Sequence, residues 1–464
     1  MEYVIGILLI LTFFGLGYYC VRGYNLMIGF LLITLVWTKL PLAGTLFVSE
    51  AFLVANPVLQ FGGDSENRLV SVLNAIYQSA PEGWGSTLVN VCWGAWFGRV
   101  LMDTGIASTI IRKTVELGGD RPIITIALLD IVTGIIFTAM MGAGPVIAIG
   151  VIVLPILMSL GIPKAIAMFT FMSSVSAGMY LNPVLHGQLR AFVVASDQMP
   201  EFSLGWFASH FGYYAFAITL VVSILLTAVF LKKKGASHAW AAQSRGVQQP
   251  QKDAPLYTLI LPIVPVALKI GLDFSVIGGF VIAGFAALFL CGRMKGKFTE
   301  NCQLVNKLYY DGVVDTAALI GFLLTLPMFN KVASYAAPYF KAVIGNLLPT
   351  SELVLCMLFA VLVITAFFRG PLTLFGCGAA TLGVLSNVGS FSVPFLFTLF
   401  CIPATTVNVG SCITQSWIAW GLAYTKVDSK DFLKMSIPFA YITSILLYIV
   451  CAVTMTGLGP EWFL

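Results

Sequence analysis

Apolar residues run in blocks long enough to cross a bilayer, and the polar positions between them fall mostly in short turns. Transmembrane helices need about 17 to 25 apolar residues; in the first half such spans lie near 3–20, 24–40, 86–103 and 203–231. Between the last two lie interrupted hydrophobic segments: 121–160, broken by "GAGP", and 165–195, broken by "SAG" and "NP". The second half follows the same plan, with spans near 255–270, 273–291, 310–326 and 435–457 and interrupted segments at 350–388 and 392–425. Residues 105–117 and 328–343 pattern as amphipathic helices, each just ahead of an interrupted segment, as interfacial arms would. One polar stretch, "KKKGASHAWAAQSRGVQQPQKD" at 232–253, divides the halves and has the composition of a cytoplasmic linker.

The halves align on each other. "SSVSAG" at 173–178 matches "TTVNVG" at 405–410, and Gly144-Pro145 falls opposite Gly370-Pro371 at nearly the same separation. This predicts a duplicated unit, residues 1–231 and 254–464, each with a re-entrant hairpin (121–160 and 350–388) and a broken helix (165–195 and 392–425). With the N-terminus outside and both hairpins entering and leaving on one side, most lysines and arginines, Lys232, Lys233 and Lys234 among them, collect in inside loops. The same threading puts both termini outside and opens the two hairpins to opposite faces, so the repeats are expected to be inverted.

Composition fixes the class. Of 464 residues 59% are hydrophobic and 10% charged, with a mean hydropathy of +0.94, whereas a soluble domain carries roughly 25% charged residues. The expectation is an all-α polytopic membrane protein. The first apolar segment has no basic flank and no small-residue cleavage site, so it reads as a first span and not a removed signal peptide. The nine cysteines are scattered without a CxxC pair and read as packing residues.

Backbone in hydrocarbon must satisfy its own hydrogen bonds, so unwound stretches at membrane depth survive only where protein or a water-filled cavity covers them. Four recur here in pairs: the tips "MGAGPV" (141–146) and "RGPLTL" (369–374), and the breaks "SSVSAGMYLNP" (173–183) and "TTVNVGSCITQS" (405–416). Tips entering from opposite faces to meet two broken helices suit a secondary transporter. Helix N-termini there face an anion, and hydroxyls and carbonyls face a coupling cation.

Arg369 is the costliest residue in this frame, because an arginine at membrane depth is unfavourable by roughly 3 to more than 10 kcal/mol. At a hairpin tip its fork can pair with a substrate carboxylate; the plainer role is to pin the tip to a backbone carbonyl. Candidate substrate contacts are Arg369, Gly144, Pro145, Gly370, Ser176, Asn182, Thr406, Asn408 and Gly410. Ser173, Ser174, Thr405 and Asp130 are candidates for the coupling ion, H⁺ or Na⁺, although Ser and Thr also bond back to helix carbonyls. Asp315 reads as a solvated or interfacial charge near a span end, and His186 and Arg190, past the first break, as interfacial residues.

At these residues the chain resembles the ion transporter superfamily, specifically its gluconate and citrate permease branch. The carrying motifs are "GRVLMDTGIASTIIRKTVELGGDRP" (98–122), "GAGPVIAIGVIVLPIL" (142–157) and "RGPLTLFGCGAATLGVL" (369–385). The resemblance implies inverted repeats on an elevator-type plan, with a fixed scaffold and a moving transport domain. It further implies a homodimer in a bacterial inner membrane and proton- or sodium-coupled symport of a small organic anion. Gluconate permeases carry an acid in the first hairpin where this chain has Ala148, which weakens the match to gluconate itself.

Other classes find less support. An inorganic-ion antiporter or channel of the same superfamily would need an acidic pair at the midplane, and neither break holds an acid. A membrane-embedded enzyme needs HExxH, an aspartate pair or a serine with a histidine, and the three histidines, His186, His210 and His238, build none of these. No nucleic-acid partner, metal or cofactor is expected beyond the coupling ion.

Overall fold

An apolar chain in lipid closes its hydrogen bonds within helices, and the computed structural model is built in that way, with no strand among the described residues. It describes residues 1–22, 24–60, 68–119, 122–194, 199–234, 253–345, 349–376, 378–388 and 391–463. The first two helices are α1 (Glu2–Val21) and α2 (Leu26–Gly44). After short helical turns come α3 (Gly85–Asp103), α4 (Ile106–Gly118), α5 (Pro122–Phe137), α6 (Ala143–Ser159), α7 (Lys164–Met179) and α8 (Pro183–Val193). Helix α9 (Tyr213–Lys234) continues a helical run that starts at Leu204.

In the second half follow α10 (Val264–Leu272), α11 (Val276–Leu290), the 47-residue α12 (Phe298–Ile344), α13 (Glu352–Val361) and α14 (Gly378–Val388). The last are α15 (Val393–Ile402), α16 (Ser416–Thr425) and α17 (Ser429–Thr454). Ser or Asn side chains cap several of these helices: Asn25 on α2, Asn182 on α8, Ser275 on α11 and Ser392 on α15.

Five helices are long and apolar enough to cross a membrane among the described residues: Glu2–Tyr19, Met27–Gly44, Leu204–Lys232, Leu319–Val343 and Ser429–Thr454. One further apolar helix pair, Glu352–Val361 and Val363–Arg369, meets at 67°, the geometry of a broken span or of a re-entrant loop. The protein is a polytopic helical membrane protein.

Several elements differ from the sequence reading. Residues 255–270 are a 3-10 turn at Leu256–Ile260 followed by the short α10, because Pro262 and Pro265 deny the run a continuous ladder. The span at 310–326 and the arm at 328–343 are one helix, α12, which carries Pro327 and Pro338 inside it. The arm at 105–117 is α4, whose apolar face (Ile106, Ala107, Ile111) is buried. Of the linker, 235–252 lies outside the described residues; at its end Asp253 pairs with Arg112, and the Ala254 amide donates to Thr109 Oγ1 at 2.9 Å.

Helix α12 packs along α1, α2, α3 and α14, with α11 beside α3. Helix α7 is central to the rest, with α5 and α9 against it and α17 behind α9 and α13. The arms of the two interrupted segments lean on different neighbours: α5 on α4, α7 and α9, and α6 on α7 and α16; α13 on α17, and α14 on α12.

Candidate functional site

The two breaks meet where α7 crosses the chain after α15. Helix α7 stays regular through Ser173–Met179 and opens only at Tyr180–Asn182. The serines explain the later opening. Ser174 Oγ donates to the Thr170 or Phe171 carbonyl (3.0 and 2.9 Å) and Ser176 Oγ to the Ser173 carbonyl (2.8 Å), so both hydroxyls are satisfied by their own helix, while Ser173 Oγ stands 2.9 and 3.0 Å from the Phe169 and Thr170 carbonyls and 2.6 Å from Ser223 Oγ. Asn182 closes the break. Its Oδ1 accepts from the amides of Val184 and Leu185 (2.9 and 3.1 Å), and its Nδ2 donates to the carbonyls of Phe137 and Met140 (3.0 and 3.1 Å).

In the second half α15 widens into a π turn over Pro403–Val409, and the backbone then unwinds to Gln415 before α16 starts. Thr405, Thr406 and Asn408 lie in that turn and are all buried. The two breaks touch: Tyr180 Oη bonds Thr406 Oγ1 at 2.6 Å, and a β-carbon on Gly410 would stand 2.8 Å from Ser176 Cβ, so only glycine fits the crossing. Thr405 Oγ1 reaches Cys401 Sγ at 3.7 Å. Trp417 Nε1 donates to the Val409 carbonyl at 3.1 Å and holds the turn open.

The second tip docks on this break. Phe368 and Arg369 are both left-handed, with φ of 55° and 65°, a conformation costing roughly 1–2 kcal/mol per non-glycine residue. The guanidinium holds the turn: Nη1 donates to the Phe375 carbonyl at 3.1 Å and Nη2 to Gln415 Oε1 at 2.9 Å, while the Gly370 amide donates to the Phe367 carbonyl at 3.1 Å. Phe368 N donates to Cys412 Sγ at 3.1 Å. Beside these, Asn408 Oδ1 and Thr373 Oγ1 are buried with no hydrogen-bond partner among the described residues. Such atoms are expensive to leave unmade and mark places where a ligand or water completes the bonding.

At the first tip Gly144 lies against Asp315 of α12, where a β-carbon would overlap the carboxylate, and Pro145 rests on Gly98 of α3. Asp315 is not a solvated charge: Arg99 grips it with Nη2–Oδ1 at 2.6 Å and Nε–Oδ2 at 2.5 Å. The pair stands where α6 begins, a position that favours negative charge. Asp130 is 1% exposed on α5; its Oδ2 accepts from Ser223 Oγ at 3.0 Å, and Ser223 Oγ lies 2.6 Å from Ser173 Oγ. The candidates therefore fall into three places: Arg369, Gly370, Thr406, Asn408, Gly410 and Ser176 around the second break, Gly144 and Pro145 at the first tip, and Asp130 with Ser173 behind α7.

Sequence reasoning missed Gln415, Thr373, Tyr180 and the Arg99–Asp315 pair. Gln415 and Tyr180 stand inside the quoted breaks, and Thr373 inside a quoted tip. Arg99 and Asp315 each carry a charge within an apolar run, which is itself a signal for a partner.

No protein-family model matches the chain, and no curated protein sequence does. In fold the chain is similar to Neisseria gonorrhoeae MtrF, with a TM-score of 0.53 and 14% identity, over 90% of this chain and 96% of that one. That protein's structure is described as illuminating a class of antimetabolite efflux pumps.

Proposed function

We propose that this chain is a secondary active transporter for a small organic anion, a carboxylate, coupled to H⁺ or Na⁺. The observation that carries the reading is the Arg369 turn docked on the opened second break, with Asn408 Oδ1 in that break and Thr373 Oγ1 in the turn buried and without a hydrogen-bond partner among the described residues. A guanidinium supplies positive charge at that point, and the carboxamide and hydroxyl supply partners for a substrate hydroxyl or carboxyl group. Fold likeness to a membrane pump and an apolar helix pair bent by 67° support the transport class.

The finer picture completes the proposal: two inverted repeats, an elevator-type motion of one helix set against the other, a homodimer, and residence in a bacterial inner membrane with both termini outside. Asp130, buried with Ser223 and Ser173, is the proposed coupling group, since a carboxyl in that setting exchanges a proton with little rearrangement. The likeness to an efflux pump favours one second reading, in which the same site serves export of an anion.

The test is transport by purified protein in vesicles. Radiolabelled lactate, gluconate, C4-dicarboxylates and citrate are offered with an imposed pH or Na⁺ gradient of either direction. At least one carboxylate is expected to accumulate against its gradient, and the productive direction separates uptake from export. Accumulation of none, with inorganic ions moving instead, would replace this reading by an ion antiporter or channel.

A further inference from the structure

Two hydroxyl pairs join α7 to α9 in the apolar interior: Thr170 Oγ1 with Thr227 Oγ1 and Ser173 Oγ with Ser223 Oγ, both at 2.6 Å. Residues three apart on α7 meet residues four apart on α9, so the pairs stack one helical turn from each other. They differ in one respect. Ser223 Oγ also donates to Oδ2 of Asp130 on α5 at 3.0 Å. On its other side Ser173 Oγ stands 2.9 and 3.0 Å from the Phe169 and Thr170 carbonyls. The result is a row of four groups, carboxyl, hydroxyl, hydroxyl and carbonyl, and Asp130, Ser223 and Ser173 are each at most 1% exposed.

Such a row accommodates both forms of its acid. A carboxylate and a carbonyl only accept, whereas a serine hydroxyl gives one hydrogen and can also accept. With Asp130 ionised, Ser173 donates to Ser223 and Ser223 to Asp130. With a proton on Oδ2, the acid O–H donates to Ser223, Ser223 to Ser173, and Ser173 to the Phe169 carbonyl. Binding or releasing the proton thus needs only that two hydroxyls rotate. A metal cation makes a different demand. Ca²⁺, close to Na⁺ in size, holds its oxygens at about 2.3–2.6 Å, which spreads neighbouring oxygens to about 3.3 Å or more. The spacings along this row, 2.6 and 3.0 Å, are those of hydrogen bonds. The charges and phenols of the adjoining helices lie elsewhere. Lys164 opens α7, and Tyr213, Tyr214 and Lys232 to Lys234 lie at the two ends of α9, each nine residues or more from the serine on its own helix. On α4, Arg112 is held by Asp253 and Lys113 by Glu116.

From this arrangement we infer that Ser223 and Ser173 are positioning residues that make Asp130 a site for a proton and not for Na⁺. The carboxyl group holds the ion, and the two hydroxyls reverse their direction to satisfy whichever form it takes. That the bound proton drives movement of a carboxylate rests on the function proposed above; the choice of ion at Asp130 does not.

Infrared difference spectra of the full-length protein in micelles, recorded as the pH is cycled, read the C=O stretch of a protonated carboxyl group. The Asp130 band is identified by its loss in Asp130→Asn. It is expected to shift to higher frequency in Ser223→Ala and in Ser173→Ala, where its hydrogen bonding weakens, and to hold its place in Ser223→Thr, which keeps the hydroxyl. Thr227→Val alters the neighbouring pair alone and should not move it. Should Ser223→Ala fail to fold, Ser223→Cys, whose thiol is a weak donor, gives the same reading. Exchange of K⁺ for Na⁺ at fixed pH should leave the amplitude unchanged. Absence of any Asp130-dependent band, a band that neither serine variant moves, an equal shift in Thr227→Val, or a band that Na⁺ diminishes would overturn the inference. The expected band without transport of any carboxylate offered above would sink the proposed function and leave the proton site standing; carboxylate transport driven by Na⁺, with a band that Na⁺ diminishes, would do the reverse.

Discussion

Removing the Asn182 side chain would unpair two amides and two carbonyls at once. Loss of a helix cap costs about 1 kcal/mol, and each buried group left unsatisfied about 1–3 kcal/mol. Asn182→Ala is therefore expected to lower thermal stability in detergent sharply, with poor expression as the cellular counterpart. Asn408, whose Oδ1 has no hydrogen-bond partner among the described residues, behaves differently: Asn408→Ala should leave the melting temperature nearly unchanged. The two asparagines read alike in the sequence because each stands at a glycine-flanked break; only the count of partners tells them apart. Asp130 belongs to neither group. With Asp130→Asn, gradient-driven accumulation should vanish while exchange of labelled for unlabelled substrate persists, since exchange needs no net movement of the coupling ion. Accumulation that survived the change would remove Asp130 from coupling.

Helix α7 shows why the first break was hard to place from the residues alone. A run of serines beside a glycine fits an unwound segment, yet Ser174 and Ser176 return their hydroxyls to the helix ladder and the opening waits for Tyr180. The second break was legible because Pro403 removes an amide donor and the π turn follows at once. Long-range pairing was not legible: Arg99 and Asp315 lie on α3 and α12, and nothing local in either helix announces the other. Their contact with the first tip makes them a clasp between α6 and the α3–α12 pair. Charge exchange tests this, because Arg99→Asp or Asp315→Arg alone would leave two like charges facing each other. Each single variant is expected to lose transport, and the double variant to recover a substantial part of it. Full activity in both single variants would show that the pair holds nothing in place.

At the scale of the molecule, class follows from composition, and the spans expected near 3–20, 24–40, 203–231 and 435–457 recur as membrane-length helices. What composition could not convey is which helices continue: α12 absorbs an expected span and an expected arm because neighbouring helices cover the backbone that Pro327 and Pro338 leave unpaired. The central claim is that the Arg369 turn and the opened second break form one anion site. Isothermal titration of a carboxylate that the wild-type protein transports, repeated on Asn408→Ala and Arg369→Gln of verified thermal stability, measures it directly. At least about tenfold weaker binding in both, equal to about 1.4 kcal/mol or more, is the predicted result; wild-type affinity in both variants would contradict it.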